Sequence, residues 1–200
     1  MNAIEALNRT LFLRINGGND TPTWVVQVAS GIAGDLIILI PLLLLGFWLR
    51  GDHARRSMAL KASLVTLVSL GAGQVISALW PHPRPFMIGL GHTWATHVAD
   101  ASFPSDHMTV FAGIGLTLLF DGAAGWGLAT MLTGLCVAWA RVFLGLHFPL
   151  DMAGAVAVAG AVYAIVSLIW RKVGTPCTNL AEKMYRTLLA RPIAAGLLRR

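Results

Sequence analysis

Arg141, His147 and Asp151 stand within the otherwise apolar stretch ARVFLGLHFPLD (140–151). Hydrocarbon is a poor solvent for all three, and an ionisable group in such a setting is a functional candidate by default. Pro149 suits the first position of a helix. His147 then lies just ahead of that helix and Asp151 in its first turn, where the helix dipole favours an acid. Asp151 could accept a hydrogen bond from one imidazole nitrogen and leave the other as base or nucleophile. Arg141 ends the preceding apolar run and arrives at the same depth. An Arg141–Asp151 ion pair is the plainer alternative, but it leaves His147 without a role.

Two further motifs carry chemistry. In PHPRPF (81–86) alternating prolines stiffen the chain, and His82 and Arg84 each precede a proline, which keeps them out of helix. Arg84 suits a bidentate grip on phosphate or carboxylate; the simpler reading is a rigid loop touching lipid headgroups. SFPSDH (102–107) closes a polar loop and opens an apolar helix. Ser105 is a natural N-cap, the first-turn amides form an anion site, and His107 would point toward whatever binds there. Ordinary capping by Ser105 or Asp106 is the bland alternative. Two arginines, two histidines, an aspartate and a serine-capped helix start are the inventory for phosphoryl transfer without a metal. No metal-ligand spacing and no glycine-rich nucleotide loop is present, so no cofactor is expected.

The elements that must position these residues are membrane spans. Of 200 residues, 56% are hydrophobic and 12% charged, against roughly a quarter charged in soluble chains. The expected fold is all-α, a polytopic membrane helix bundle of about five to six helices. Four stretches approach the ~20 apolar residues a span needs, 22–49, 57–79, 126–145 and 151–170; a fifth, 107–120, is short. The chain reads as one integral membrane domain, with an amphipathic segment (1–20), a bundle (22–170) and a basic cytoplasmic tail (171–200). No signal peptide is expected in the first 20 residues. Ile4, Leu7, Leu11 and Ile15 instead mark a helix that either lies in the interface or docks on the bundle.

Basic residues cluster at Arg50, Arg55, Arg56 and Lys61, and again from Arg171 to Arg200. The positive-inside rule puts both clusters in the cytoplasm, with five spans leaving the amino terminus outside. The formal charge of +6 is then topological, and nucleic acid is not an expected partner. Segments 80–106 and 141–151 fall on the outer side, so the polar chemistry gathers on one face. Asp35, inside the first apolar stretch, is expected to support the site by pairing with an arginine, and Asp106 is a second supporting candidate.

On these residues the sequence resembles the type 2 phosphatidic acid phosphatase superfamily. Its pattern is a lysine, six residues, then Arg-Pro; Pro-Ser-x-His; and Ser-Arg, five residues, His, three residues, Asp. Arg84-Pro85, Pro104-Ser105-Asp106-His107, and Arg141, His147 and Asp151 match in order and spacing. The PRPF, SFPSDH and HFPLD forms are similar to the bacterial undecaprenyl-diphosphatase branch. The resemblance implies a phosphohistidine on His147, with Asp151 orienting it, His107 as general acid, and Arg84, Ser105 and Arg141 holding phosphate. Ser77 stands where the lysine is expected and Ala140 where the serine precedes Arg141. Ser77 could bond phosphate but brings no charge; His82, if protonated, is expected to supply it, unless it is simply a loop histidine.

The implied activity is dephosphorylation of undecaprenyl diphosphate at the periplasmic face of the bacterial inner membrane. That reaction recycles the cell-wall carrier lipid and confers bacitracin resistance. The implied partners are this isoprenoid lipid diphosphate and membrane lipids. Phosphatidylglycerophosphate, phosphatidate or a lipid A phosphate would suit the same chemistry, as would phosphotransfer. A transporter would show repeated or broken spans around a midplane site, and no internal repeat is present.

Overall fold

The computed structural model describes residues 3–194; the first two residues and the tail arginines Arg199 and Arg200 lie outside the described residues. Its helices are α1 (Ala3–Ile15), α2 (Thr23–Asp35), α3 (Leu39–Arg50), α4 (His53–Leu79), α5 (Asp106–Phe120), α6 (Ala124–Phe143), α7 (Pro149–Leu188) and the short α8 (Ala190–Ala194). No strand occurs among the described residues. Four helical stretches are long and apolar enough to cross a membrane, α2 with α3, then α4, α6 and α7.

The short fifth stretch forms α5, 15 residues long, with α4, α6 and α7 packed around it. Small residues let these neighbours close in, as in other membrane bundles. A Cβ at Gly113 would stand 2.6 Å from Thr66 Oγ1, and one at Gly134 would stand 2.6 Å from Phe111 Cβ. Sheltered in this way, α5 needs no lipid-length apolar surface of its own.

The stretch expected as one span over 22–49 is one, Thr23–Arg50, with a local break in its α-helical hydrogen bonding. A 3-10 turn at Leu36–Ile38 separates α2 from α3. Pro41 explains the break, because it has no N–H for the Ile37 carbonyl and its ring crowds that carbonyl. α2 packs on α6, whereas α3 packs on α4.

The last helix runs further than expected. At 40 residues α7 is about 60 Å long, twice the ~30 Å hydrocarbon core. The region read as a tail from residue 171 is therefore helical through Leu188. Contacts hold it there: Glu182 accepts from Arg186 Nη2 at 2.9 Å and pairs with Arg56 Nη1 at 3.4 Å. The Arg56 guanidinium also lies 4.9 Å from the centre of the Tyr185 ring. Lys61 Nζ and Tyr163 OH both donate to Asp121 Oδ1 at 2.9 Å, tying α4 and α7 to the α5–α6 turn at this basic end.

At the other end α1 docks on the loops that bear the motifs. Phe12 is wholly buried, with its ring 5.4 Å from that of Phe148. Asn8 Oδ1 accepts from Leu150 N at 3.1 Å, capping the start of α7. Asn16 donates to the carbonyls of His92 and Phe143 and accepts from His92 N at 2.7 Å. Of the apolar stripe, Leu11 and Ile15 are half-buried, while Ile4 and Leu7 are exposed.

Candidate active site

His147 lies in the turn between α6 and α7, 2% exposed. Its Nδ1 is 3.0 Å from the Ser102 carbonyl and 3.2 Å from Asp151 Oδ2. Its Nε2 is 2.9 Å from Arg84 Nη1. A guanidinium only donates, so Nε2 must offer its lone pair and the ring proton must sit on Nδ1. That is the tautomer a nucleophilic imidazole requires. Burial is the main cause that pushes the His147 pKa down to about 4; the Asp151 hydrogen bond opposes it and the Arg84 charge reinforces it. The ring is therefore neutral at physiological pH.

Asp151 is placed by its position in the first turn of α7, where its Oδ2 accepts from Phe148 N at 2.7 Å. The same oxygen accepts a short hydrogen bond from Ser102 Oγ. Ser102 is fully buried and touches both members of the pair, while its own amide donates to the His82 carbonyl at 2.7 Å. Nothing in the sequence singles out Ser102 beyond its place at the head of SFPSDH.

Arg84 is held on every side, donating to Asp100 Oδ1 at 2.7 Å, to the Leu146 carbonyl at 2.9 Å and to the Ala101 carbonyl at 3.3 Å. Arg141 reaches the Ala33 carbonyl and His97 Nε2, each at 3.4 Å, and its buried Nε has no partner among the described residues. Both guanidiniums line a polar cavity of about 130 Å³ with His147, His97, Asp100, Asp106, Ser77 and Gln74. That is room for a phosphoryl group rather than a lipid. With two arginines facing two aspartates, the cavity is formally balanced before any anion enters.

The remaining expected residues divide. Ser77 lines the cavity and donates to the Phe103 carbonyl at 2.8 Å. Ser105 is fully buried and caps α5, accepting from Met108 N at 3.5 Å, and its amide donates to the Asp151 carbonyl at 3.2 Å. Asp106 lines the cavity and accepts from Gln74 at 3.3 Å. His107, beside it, is half-buried.

Two expectations need correction. His82 faces away from the cavity, its Nε2 3.4 Å from Glu5 of α1 and its ring 5.6 Å from that of Phe148. The imidazole that lines the cavity is His97, 3.7 Å from Asp100 and with its ring centre 6.4 Å from that of His147. Asp35 is exposed and forms no ion pair among the described residues; Arg141 takes the Ala33 carbonyl instead. Among the described residues no group of three or more His, Cys, Asp or Glu side chains is arranged to hold a metal.

A family model described as the PAP2 superfamily matches residues 58–174. The Escherichia coli (strain K12) protein provisionally named undecaprenyl-diphosphatase YbjG is 37% identical over 197 residues, spanning 98% of this chain and 99% of that one. The Bacillus subtilis (strain 168) undecaprenyl-diphosphatase BcrC is 29% identical over 184 residues, 92% of this chain and 94% of the other. The fold is shared with the crystal structure of a transmembrane PAP2 type phosphatidylglycerolphosphate phosphatase from Bacillus subtilis. The TM-score is 0.61 at 19% identity, covering 86% of this chain and 89% of that one. Motifs scattered over three loops meet in one cavity at the end of a membrane bundle because the chain is a member of the PAP2 superfamily, a multi-pass membrane lipid phosphatase.

Proposed function

We propose that this protein removes the terminal phosphate of undecaprenyl diphosphate at the periplasmic face of the bacterial inner membrane, through a phosphohistidine on His147. The observation that carries the reading is the Nε2 lone pair of a neutral, buried imidazole, directed at an arginine inside a polar cavity. Full-length similarity to curated proteins bearing the undecaprenyl-diphosphatase name supports the choice of substrate.

In the free protein Asp100 occupies the Nε donor of Arg84 that a phosphate oxygen would take. An entering phosphoryl group displaces that carboxylate, draws Arg84 onto its equatorial oxygens and uncovers Nε2. Arg141 shares the charge that builds on those oxygens. Nε2 then bonds to phosphorus as the bond to the bridging oxygen breaks, and His107, which enters the step as an imidazolium favoured by the charge of the bound diphosphate, protonates the departing lipid phosphate. Water later attacks the phosphohistidine, giving its proton back to His107 and freeing inorganic phosphate. Asp151 and the Ser102 carbonyl fix Nδ1–H and stabilise the positive ring. Ser77 and His97 take the place of the missing lysine, the first as a donor and the second as a cation when protonated.

The test is phosphate release from undecaprenyl diphosphate by purified wild type and His147→Ala in detergent with EDTA present. Release by the wild type, and a loss of at least ~10³-fold in the variant, is the expected result. An alkali-stable, acid-labile phosphoryl adduct should be trapped on the wild type alone. Equal release by both proteins removes His147 as nucleophile. Faster release from phosphatidylglycerophosphate, phosphatidate or a lipid A phosphate would reassign the substrate and keep the chemistry.

A further inference from the structure

A second cavity, of about 550 Å³, lies at the opposite end of the bundle from the catalytic one. Its origin is the break at Leu36–Ile38. Above the break α2 stays on α6; below it α3 turns onto α4. A groove is left between α3 and α6, with the buried Phe111 of α5 among the residues lining it. Leu39, Leu43 and Phe47 form one wall and Trp126 stands on the other, its ring 6.2 Å from that of Phe47. Gly46 leaves the wall open, since a Cβ there would meet nothing within 4 Å.

The groove has one charged end. Arg50 at the close of α3 and Arg55 in the first turns of α4 both line it, and both are exposed. Asp52 lies between them in sequence, but it accepts from Arg55 N at 3.0 Å as the cap of α4. With one aspartate between two arginines, the described residues at the mouth carry a net positive charge. The 12 residues of α3 rise about 18 Å, close to half of the ~30 Å hydrocarbon core. The groove thus has the depth of one leaflet, not of a bilayer-spanning isoprenoid chain.

We propose that this groove binds one anionic phospholipid of the leaflet opposite the catalytic cavity, with an acyl chain along the α3 wall and its phosphate between Arg50 and Arg55. Apolar lining suits the chain, and paired guanidiniums suit a phosphodiester better than a zwitterionic headgroup, whose ammonium they repel. The site is independent of the substrate assigned above, because it is read by binding rather than by turnover.

The experiment releases the protein from nanodiscs of equal phosphatidylglycerol and phosphatidylethanolamine into a mass spectrometer and identifies the lipid retained. One phosphatidylglycerol retained in preference is the expected result. Arg50→Gln and Arg55→Gln should each lower that preference about fivefold. Gly46→Leu fills the groove and should abolish the adduct while phosphatase turnover persists; Thr133→Leu on the α6 wall does the same from the other side and serves if the first variant fails to fold. Equal retention of the two lipids by the wild type overturns the proposal. So does an unchanged preference in the arginine variants, or a wild-type adduct on both groove-filling variants.

Discussion

Ser102 supports His147 twice, through its hydroxyl on Asp151 and its carbonyl near Nδ1 of His147. Ser102→Ala keeps the carbonyl and removes the donor to a buried carboxylate. A hydrogen bond to a charged group contributes about 1.5–3 kcal/mol, so turnover should fall roughly 10- to 100-fold with little change in KM, measured by phosphate release. The state of His147 gives a second prediction. Its pKa is about 4 in the fold and ~6.5 in the unfolded chain. Between those values the unfolded chain binds a proton that the folded chain refuses. Stability is therefore full above about pH 6.5 and falls by about 3 kcal/mol as pH drops toward 4. Thermal unfolding at pH 7.5 and 4.5 should show a smaller drop for His147→Gln than for wild type. That Arg84, Arg141 and His147 gather at one cavity, with Asp151 against His147, was legible because their spacing around prolines and helix starts is local. His97, Asp100 and Ser102 were not, because the loop before α5 has no periodicity and only the closed fold sets it against α7. His82 was misassigned for the same reason: two residues from Arg84 in sequence, it turns to the far side, onto α1.

At the scale of elements, apolar runs and proline punctuation identified the spans, and burial against three neighbours accounts for the short α5. Sequence periodicity did not reveal what α1 is for. Its expected stripe reaches from Ile4 to Ile15, but the residues it buries deepest are Asn8 and Phe12. Polar side chains on this segment grip the loops that carry the site, a role that hydropathy cannot register. Asn16→Ala would strip partners from the His92 amide and from the carbonyls of His92 and Phe143. The His92 amide is part-buried, so leaving it unmet costs toward the low end of about 1–3 kcal/mol. The melting temperature should fall, and activity should fall with it, since Phe143 precedes the turn that bears His147. An unchanged melting temperature would mean that α1 rests on the bundle without bracing it.

For the molecule as a whole, the two ends differ in kind. One holds the polar cavity, and the other holds ion pairs made by Arg56, Lys61, Asp121 and Glu182. The positive-inside rule predicts that the second end faces the cytoplasm, and orientation can be read directly. In a background with Cys136 and Cys177 replaced by serine, Val98→Cys in intact spheroplasts should react with a membrane-impermeant maleimide, whereas Lys183→Cys should react only after permeabilisation. Both positions are exposed, so the reverse pattern would invert the chain. The way the site is gripped has a consequence for sequence drift. Arg84 rests on the Leu146 and Ala101 carbonyls, Arg141 on that of Ala33, and His147 beside that of Ser102. A main-chain oxygen survives replacement of the side chain beside it. In a saturation library, Ala101, Ala33 and Leu146 should therefore accept any substitute that fits their space, while the arginines and His147 accept none. Descent can rewrite most of the scaffold and still inherit the grip.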